Sequence, residues 1–143
     1  QIRGVPPQLD LSREAALQRV LVEGASSGVI RSAHDCAEGG LAITLAECCF
    51  GTSFGVDANL AAVSDASDEY RDTAPLFTES ASRAVVSVEP GRVAALLSMA
   101  AAAGVTATEI GRVGGSRIQI AVEGRSAINE LVSDAERIWA TAI

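Results

Sequence analysis

Apolar residues in this 143-residue chain recur with two different periods, and neither period runs for long. Leu17, Val20, Leu21 and Ala25 fall at helical spacing, as do Val93, Leu96, Leu97 and Ala100. So do Ile128, Leu131, Val132, Ala135, Ile138 and Trp139, near the end. Between them Ile118, Ile120 and Val122 alternate, as a half-buried strand requires. Helices and strands with one apolar face each must be stacked in layers. The expected fold is α+β, a mixed α/β sandwich in which a mixed sheet is covered by helices. A strictly alternating parallel fold does not suit the antiparallel hairpin expected below.

Turn residues divide the chain. Residues 1–11, with Pro6-Pro7, read as an extended lead-in, and residues 12–143 as a single domain. Ser12 is a suitable cap for the first helix, and Gly28 is placed to end it. A strand over 29–33 then delivers His34-Asp35, and Gly39-Gly40 introduces a helix over 41–50. Strands are expected over 56–60 and 83–88, the second led in by 76–80. Pro90 opens a helix that Gly104 ends. Strands over 106–113 and 117–122 are expected to pair as a hairpin through Gly114-Gly115. The last helix is expected from about Ser126.

Composition sets further limits. Nearly half the residues are apolar (48%) but only 3% are aromatic, so aliphatic side chains must fill the core. The formal charge is −7 and every basic residue is Arg, which excludes a Schiff-base or P-loop lysine. With no basic run, nucleic acid is not an expected partner. No apolar run approaches the roughly 20 residues of a membrane span, so no membrane partner is expected either. The opening Gln1, without an initiator Met, fits a piece of a longer protein or a processed product. Cys36, Cys48 and Cys49 lack metal-ligand spacing and are expected as small hydrophobes in a reduced, cytoplasmic setting, with no disulfide or bound metal.

Two segments could carry chemistry. The first is Ser32-Ala-His-Asp-Cys-Ala-Glu-Gly-Gly-Leu41, which combines a strand end, two carboxylates, a glycine pair and a helix start. Gly39 and Gly40 let backbone approach a ligand, and the helix N-terminus after them favours anions. Asp35 and Glu38 suit Mg²⁺, which prefers a few carboxylates plus phosphate oxygens. The same residues also describe a plain glycine turn with Asp35 as its cap. The second segment, Leu76-Phe-Thr-Glu-Ser-Ala-Ser-Arg83, brings Glu79, Ser80 and Arg83 to a strand entrance. Glu79 could accept from a substrate hydroxyl or amine, Ser80 could donate, and Arg83 could fork onto a phosphate. An Arg83–Glu79 pair that merely locks the loop is the alternative. The acidic stretch over 64–73, with Asp65, Asp68, Glu69 and Asp72, reads as a solvated connection rather than a metal loop.

Taken together, the turn from His34 to Ala42, Leu45-Ala46-Glu47, and Phe77-Thr-Glu-Ser-Ala-Ser-Arg83 resemble the C-terminal module of AIR-synthase-related proteins. That superfamily includes aminoimidazole ribonucleotide synthetase, selenophosphate synthetase and thiamine-monophosphate kinase. The wording here is most similar to the last domain of formylglycinamidine ribonucleotide synthases. The resemblance implies a dependent part of an ATP- and Mg²⁺-using ligase of purine biosynthesis, inactive alone and working in the cytoplasm. It implies preceding domains of the same polypeptide as partners, with glutaminase and small accessory subunits where the enzyme is multi-subunit. By position, Asp35 matches a Mg²⁺-binding Asp, and Glu79 and Ser80 a substrate-binding pair. No residue of this chain is assigned a catalytic role. A scaffolding module of the same enzyme is the rival expectation, as is the equivalent domain of another superfamily member.

Overall fold

The computed structural model describes residues 9–63 and 70–142, and within them two compact units. The first comprises residues up to 37 together with 79–109; the second comprises 38–78 and 110 onward. The elements, in chain order, are α1 (Leu11–Ser26), β1 (Ile30–Asp35), α2 (Gly40–Glu47), β2 (Val56–Leu60), α3 (Ala74–Phe77) and β3 (Ala84–Val88). A short 3₁₀ turn (Pro90–Arg92) then leads into α4 (Val93–Ala102), followed by β4 (Gly111–Val113), β5 (Arg117–Val122), β6 (Arg125–Leu131) and α5 (Val132–Thr141). The expected mixture of helices with mixed sheets is what the chain forms.

In the first unit, β1 and β3 pair antiparallel, with Asp35 opposite Ala84. The core there joins Val20 of α1, Val29, Ile30, and Leu96 and Ala100 of α4. Val86 and Val88 of β3 pack against it from the same strand face. Of the helical stripes read from the sequence, Val20, Leu96 and Ala100 are buried and Leu17, Leu21 and Val93 half-buried, whereas Ala25 and Leu97 are exposed. The first cap differs from expectation: Asp10, not Ser12, begins α1, its Oδ1 accepting from the N–H groups of Ser12 (2.9 Å) and Arg13 (3.1 Å). An aspartate oxygen satisfies two otherwise orphaned donors and suits the positive end of the helix.

In the second unit, four strands lie in the order β4-β2-β5-β6. β2 is parallel to β5 and antiparallel to β4, and β5 is antiparallel to β6. Ala58, Ile118, Ile120 and Val122 are almost fully buried on the sheet, with Ala42 and Leu45 of α2 and Cys49 just after it also buried. Two expectations fail here. The strands on either side of Gly114-Gly115 are not paired with each other, because β2 lies between them. The hairpin is instead β5–β6, closed by Glu123 (φ 50°) and Gly124 (φ 75°), the two positive φ values of a primed turn.

That hairpin also overturns the helix expected from Ser126. Residues 125–131 form β6, with Ile128 opposite Ile120, and α5 begins only at Val132. Of the stripe assigned to the last helix, Val132 is buried, whereas Ile138 and Trp139 are exposed. The Trp139 ring lies against Phe50, with centroids 5.5 Å apart.

Candidate functional site

The end of β1 and the entrance of β3 meet because the antiparallel register sets Asp35 beside Ala84. One residue further, the Cys36 N–H donates to the Arg83 carbonyl at 3.1 Å. This continues the strand pairing just past the regular ladder. The segment Ser80–Ala84 and the segment Asp35–Ala37 therefore share one wall of a pocket of about 230 Å³. The other wall is α1, through Glu14, Leu17 and Leu21. All of these residues belong to the first unit.

The polar lining is specific. Arg83 Nη1 donates to Ser80 Oγ at 3.4 Å, so the guanidinium and the hydroxyl face the same space. Glu14 Oε2 accepts from Ser82 Oγ at 2.6 Å, and its other oxygen accepts from Gln18 Nε2 at 2.9 Å. The Ser82 hydroxyl, followed by the Gln18 amide, holds the Glu14 carboxyl below the usual glutamate range, with partial burial acting weakly against them. The His34 ring Nδ1 lies 2.8 Å from the Asp35 carbonyl oxygen and 3.5 Å from Asp35 Oδ1. The Asp35 side chain is 76% exposed, so its carboxylate keeps contact with water.

Of the residues singled out in the sequence, Asp35, Ser80 and Arg83 come together in this pocket. Glu79 adjoins it in the chain and is exposed, but does not line it. Glu38, Gly39 and Gly40 belong to the second unit. There Gly39 (φ 79°) and Gly40 (φ 69°) make the left-handed turn into α2. A Cβ on Gly40 would stand 2.8 Å from the Leu76 carbonyl oxygen, so the turn lies directly on the backbone of α3. Sequence reasoning missed Glu14 and Ser82. Glu14 carries no motif, and the left-handed φ of Ser82 (61°) has no signature in a residue other than glycine.

Two further groups have simpler outcomes. Cys36 and Cys49 are buried free thiols and Cys48 is an exposed one. Burial, reinforced by neighbouring Cys48, raises the Cys49 thiol above its ordinary pKa. Asp65, Asp68 and Glu69 of the acidic stretch lie outside the described residues, while Asp72 pairs with Arg125. Among the described residues no group of three or more His, Cys, Asp or Glu side chains gathers as a metal cage. No helix there is long and apolar enough to cross a membrane. Asp35 nonetheless offers the donor type that Mg²⁺ takes when phosphate oxygens and waters complete its shell.

Residues 2–123 match the family described as AIR synthase related protein, C-terminal domain. The chain is 37% identical over 142 residues to the phosphoribosylformylglycinamidine synthase subunit PurL of Moorella thermoacetica; the match spans 99% of this chain and 19% of that protein. Its fold superposes with a TM-score of 0.79 on Thermotoga maritima PurL complexed with ATP, at 19% identity, over 93% of this chain and 23% of that one. On the structure described as PurLQS from the same organism the score is 0.75, at 20% identity, over 87% of this chain and 21% of that one. The chain thus spans about a fifth of the length of the PurL relative it matches. The match along most of the chain and the shared fold agree: this chain belongs to the AIR synthase related C-terminal domain family.

Proposed function

We propose that this domain is a dependent part of a formylglycinamidine ribonucleotide synthase. That enzyme is a carbon–nitrogen ligase converting formylglycinamide ribonucleotide, ATP and glutamine-derived ammonia to the amidine, ADP and phosphate. The observation that carries the proposal is the convergence of Asp35, Ser80 and Arg83 on one pocket, in a chain that aligns along 99% of its own length with part of such a synthase subunit. A planar guanidinium beside a hydroxyl suits phosphate oxygens. Asp35 would help hold Mg²⁺, which would screen phosphate charge when bound. Glu79 is proposed to accept from a substrate hydroxyl or amine. Glu38, Gly39 and Gly40 are retained as metal- and phosphate-binding candidates on the family resemblance alone.

The pocket's size supports a dependent role. At about 230 Å³ it has room for a phosphate or a similar small polar group, and is smaller than the roughly 300 Å³ at which small-molecule sites begin. The preceding domains of the complete polypeptide would supply the remaining walls. Glutaminase and small accessory subunits would be its partners, in line with the PurLQS assembly of the Thermotoga relative. The cytoplasm is the proposed setting, where three free thiols stay reduced.

The scaffolding alternative makes a different forecast. Asp35→Asn in the complete polypeptide keeps the shape of the side chain and removes its charge. A large fall in turnover or Mg²⁺ affinity, with an unchanged melting temperature, is the expected outcome. Unchanged turnover and unchanged Mg²⁺ dependence would sink the ligand-binding role and leave the domain as scaffold.

A further inference from the structure

We propose that Glu14 is a positioning residue whose carboxylate fixes the Ser80–Arg83 turn in its ligand-facing shape through the hydroxyl of Ser82. Ser82 sits at φ 61°, in the left-handed region that a side chain with a Cβ disfavours. Such a conformation persists only where its surroundings over-determine it. Two contacts do so here. On one side the Cys36 N–H holds the carbonyl of the next residue, Arg83, at 3.1 Å. On the other, Ser82 Oγ donates to Glu14 Oε2 at 2.6 Å, across 68 residues of sequence.

Glu14 is itself held. Gln18 lies one helical turn further along α1 and donates to Oε1 at 2.9 Å, so both carboxylate oxygens are engaged. The carboxylate also stands in the first turn of α1, where the helix end favours negative charge. Helix α1 packs into the first unit's core through Val20, so Glu14 refers the turn to a fixed element. The lowered pKa of Glu14 agrees with a carboxylate that accepts two hydrogen bonds. Ser82 lies between Ser80 and Arg83, and the φ it adopts decides where the Ser80 hydroxyl and the Arg83 guanidinium point. Glu14 therefore acts on the turn through Ser82, from the α1 wall of the pocket.

The anchoring stands on geometry alone; that it serves ligand binding rests on the function proposed above. Both are tested in the complete polypeptide by amide hydrogen exchange of the 79–84 segment and by steady-state kinetics with ATP and formylglycinamide ribonucleotide. Glu14→Ala is expected to speed exchange in that segment about tenfold, as loss of one charge-assisted hydrogen bond allows, while α4 is unaffected. It is expected to raise KM by a similar factor, with a smaller change in kcat. Glu14→Gln, which keeps an acceptor for Ser82, should stay near the parent. Adding Ser82→Gly to Glu14→Ala should recover most of the lost affinity, because glycine adopts a positive φ unaided. Ser82→Ala removes only the donor and serves should Glu14→Ala not fold. Unchanged exchange in both Glu14→Ala and Ser82→Ala would overturn the anchoring. An Arg83→Ala control separates the two ideas. If it raises KM while Glu14→Ala does not, the positioning role is wrong; if neither moves KM, the proposed ligand site is wrong.

Discussion

The Cys36 N–H donates to the carbonyl of Arg83 at 3.1 Å, and this bond brings two motifs more than forty residues apart in sequence to one strand end. Asp35 and Ala84 are already paired beside it, so the bond extends an existing ladder. The register sends both chain segments out of the sheet on the same side, where Ser80 and Arg83 line the pocket. Their polar groups are held by backbone hydrogen bonds at the base of the turn.

Arg83→Ala should therefore act on ligand affinity more than on folding. The half-buried Arg83 side chain donates to Ser80 where both line the pocket, and a charge-assisted hydrogen bond to phosphate is worth about 1.5–3 kcal/mol. The expected result in the complete polypeptide is a rise of roughly 10- to 100-fold in KM for a phosphate-bearing substrate. The melting temperature should hardly move. A pure stability loss with unchanged KM would make Arg83 a loop lock instead.

Gly40→Ala is expected to destabilise the second unit, by two additive routes. The new Cβ would press on α3, 2.8 Å from the Leu76 carbonyl oxygen and 2.9 Å from Phe77 Cα. It would also have to keep φ near 69°. Strain of this kind costs about 1–3 kcal/mol before the clash is counted. Chemical denaturation of the variant gives the measurement, and a loss below about 0.5 kcal/mol, the range of an inert surface change, would contradict the contact.

Much of the fold was legible because local patterning and burial agree. Val20 of one helical stripe and Leu96 and Ala100 of the other are buried, although Ala25 and Leu97 at the stripes' margins are exposed, and Ile118, Ile120 and Val122 alternate into the sheet. The failures have one physical source. Strand partners are chosen by long-range packing, and β2 inserts between β4 and β5 although it lies far from both in sequence, Leu60 being followed by β4 only at Gly111. Gly114-Gly115 looks like a hairpin turn locally, yet the turn that closes a hairpin is Glu123-Gly124, where a glutamate adopts a positive φ. The apolar spacing of Ile128, Leu131 and Val132 fits a helix, and equally a strand that runs directly into one. At the candidate site, Asp35, Ser80 and Arg83 were legible as motif residues. Glu14 was not, because its role depends on a backbone angle 68 residues away.

The Glu14–Ser82 bond gives stability a definite pH dependence. Its carboxyl pKa is lowered in the folded state, first by the Ser82 hydroxyl and then by Gln18. Folding thus favours the ionised form, and the contribution is in place above the ordinary glutamate range. It is lost as pH falls through the lowered value. The stability difference between the parent and Glu14→Gln, which cannot titrate, should be constant near neutrality and change in the direction of parent loss on acidification below that range. Denaturation curves across acidic pH measure it. A difference independent of pH, or one favouring the parent more at acid pH, would remove the carboxylate from this role.

The three thiols should separate by reactivity in the isolated chain. Cys48 is exposed, whereas Cys36 and Cys49 are buried and desolvation raises the Cys49 thiol further. The thiolate is the reactive form, so both access and ionisation disfavour Cys49. An alkylating reagent at neutral pH is expected to modify Cys48 first, with Cys36 and Cys49 reacting only on denaturation. Peptide mapping by mass spectrometry decides the order, and early labelling of Cys49 would contradict its burial.

The isolated chain is expected to fold without synthase activity. Each unit carries its own apolar core, Val20, Ile30 and Ala100 in one and Ala58, Ile120 and Val122 in the other. The side chains of both are buried, and burial on this scale supports a cooperative transition. Catalysis asks for more than a core. Phosphoryl transfer depends on cations placed around the β and γ phosphates and on a site closed to water. Among the described residues Arg83 is the only basic one lining the pocket, the sequence has no lysine to assist it, and the Asp35 carboxylate is largely exposed. Nucleotide affinity should accordingly be near the millimolar scale, worth about 4 kcal/mol. Circular dichroism on heating should show one or two cooperative transitions. An assay with ATP, Mg²⁺, ammonia and formylglycinamide ribonucleotide should show no substrate-dependent ADP. Release at ordinary enzyme turnover, about 1–10³ per second, would mean that this chain holds a complete site, and the reading of it as a dependent domain would fall.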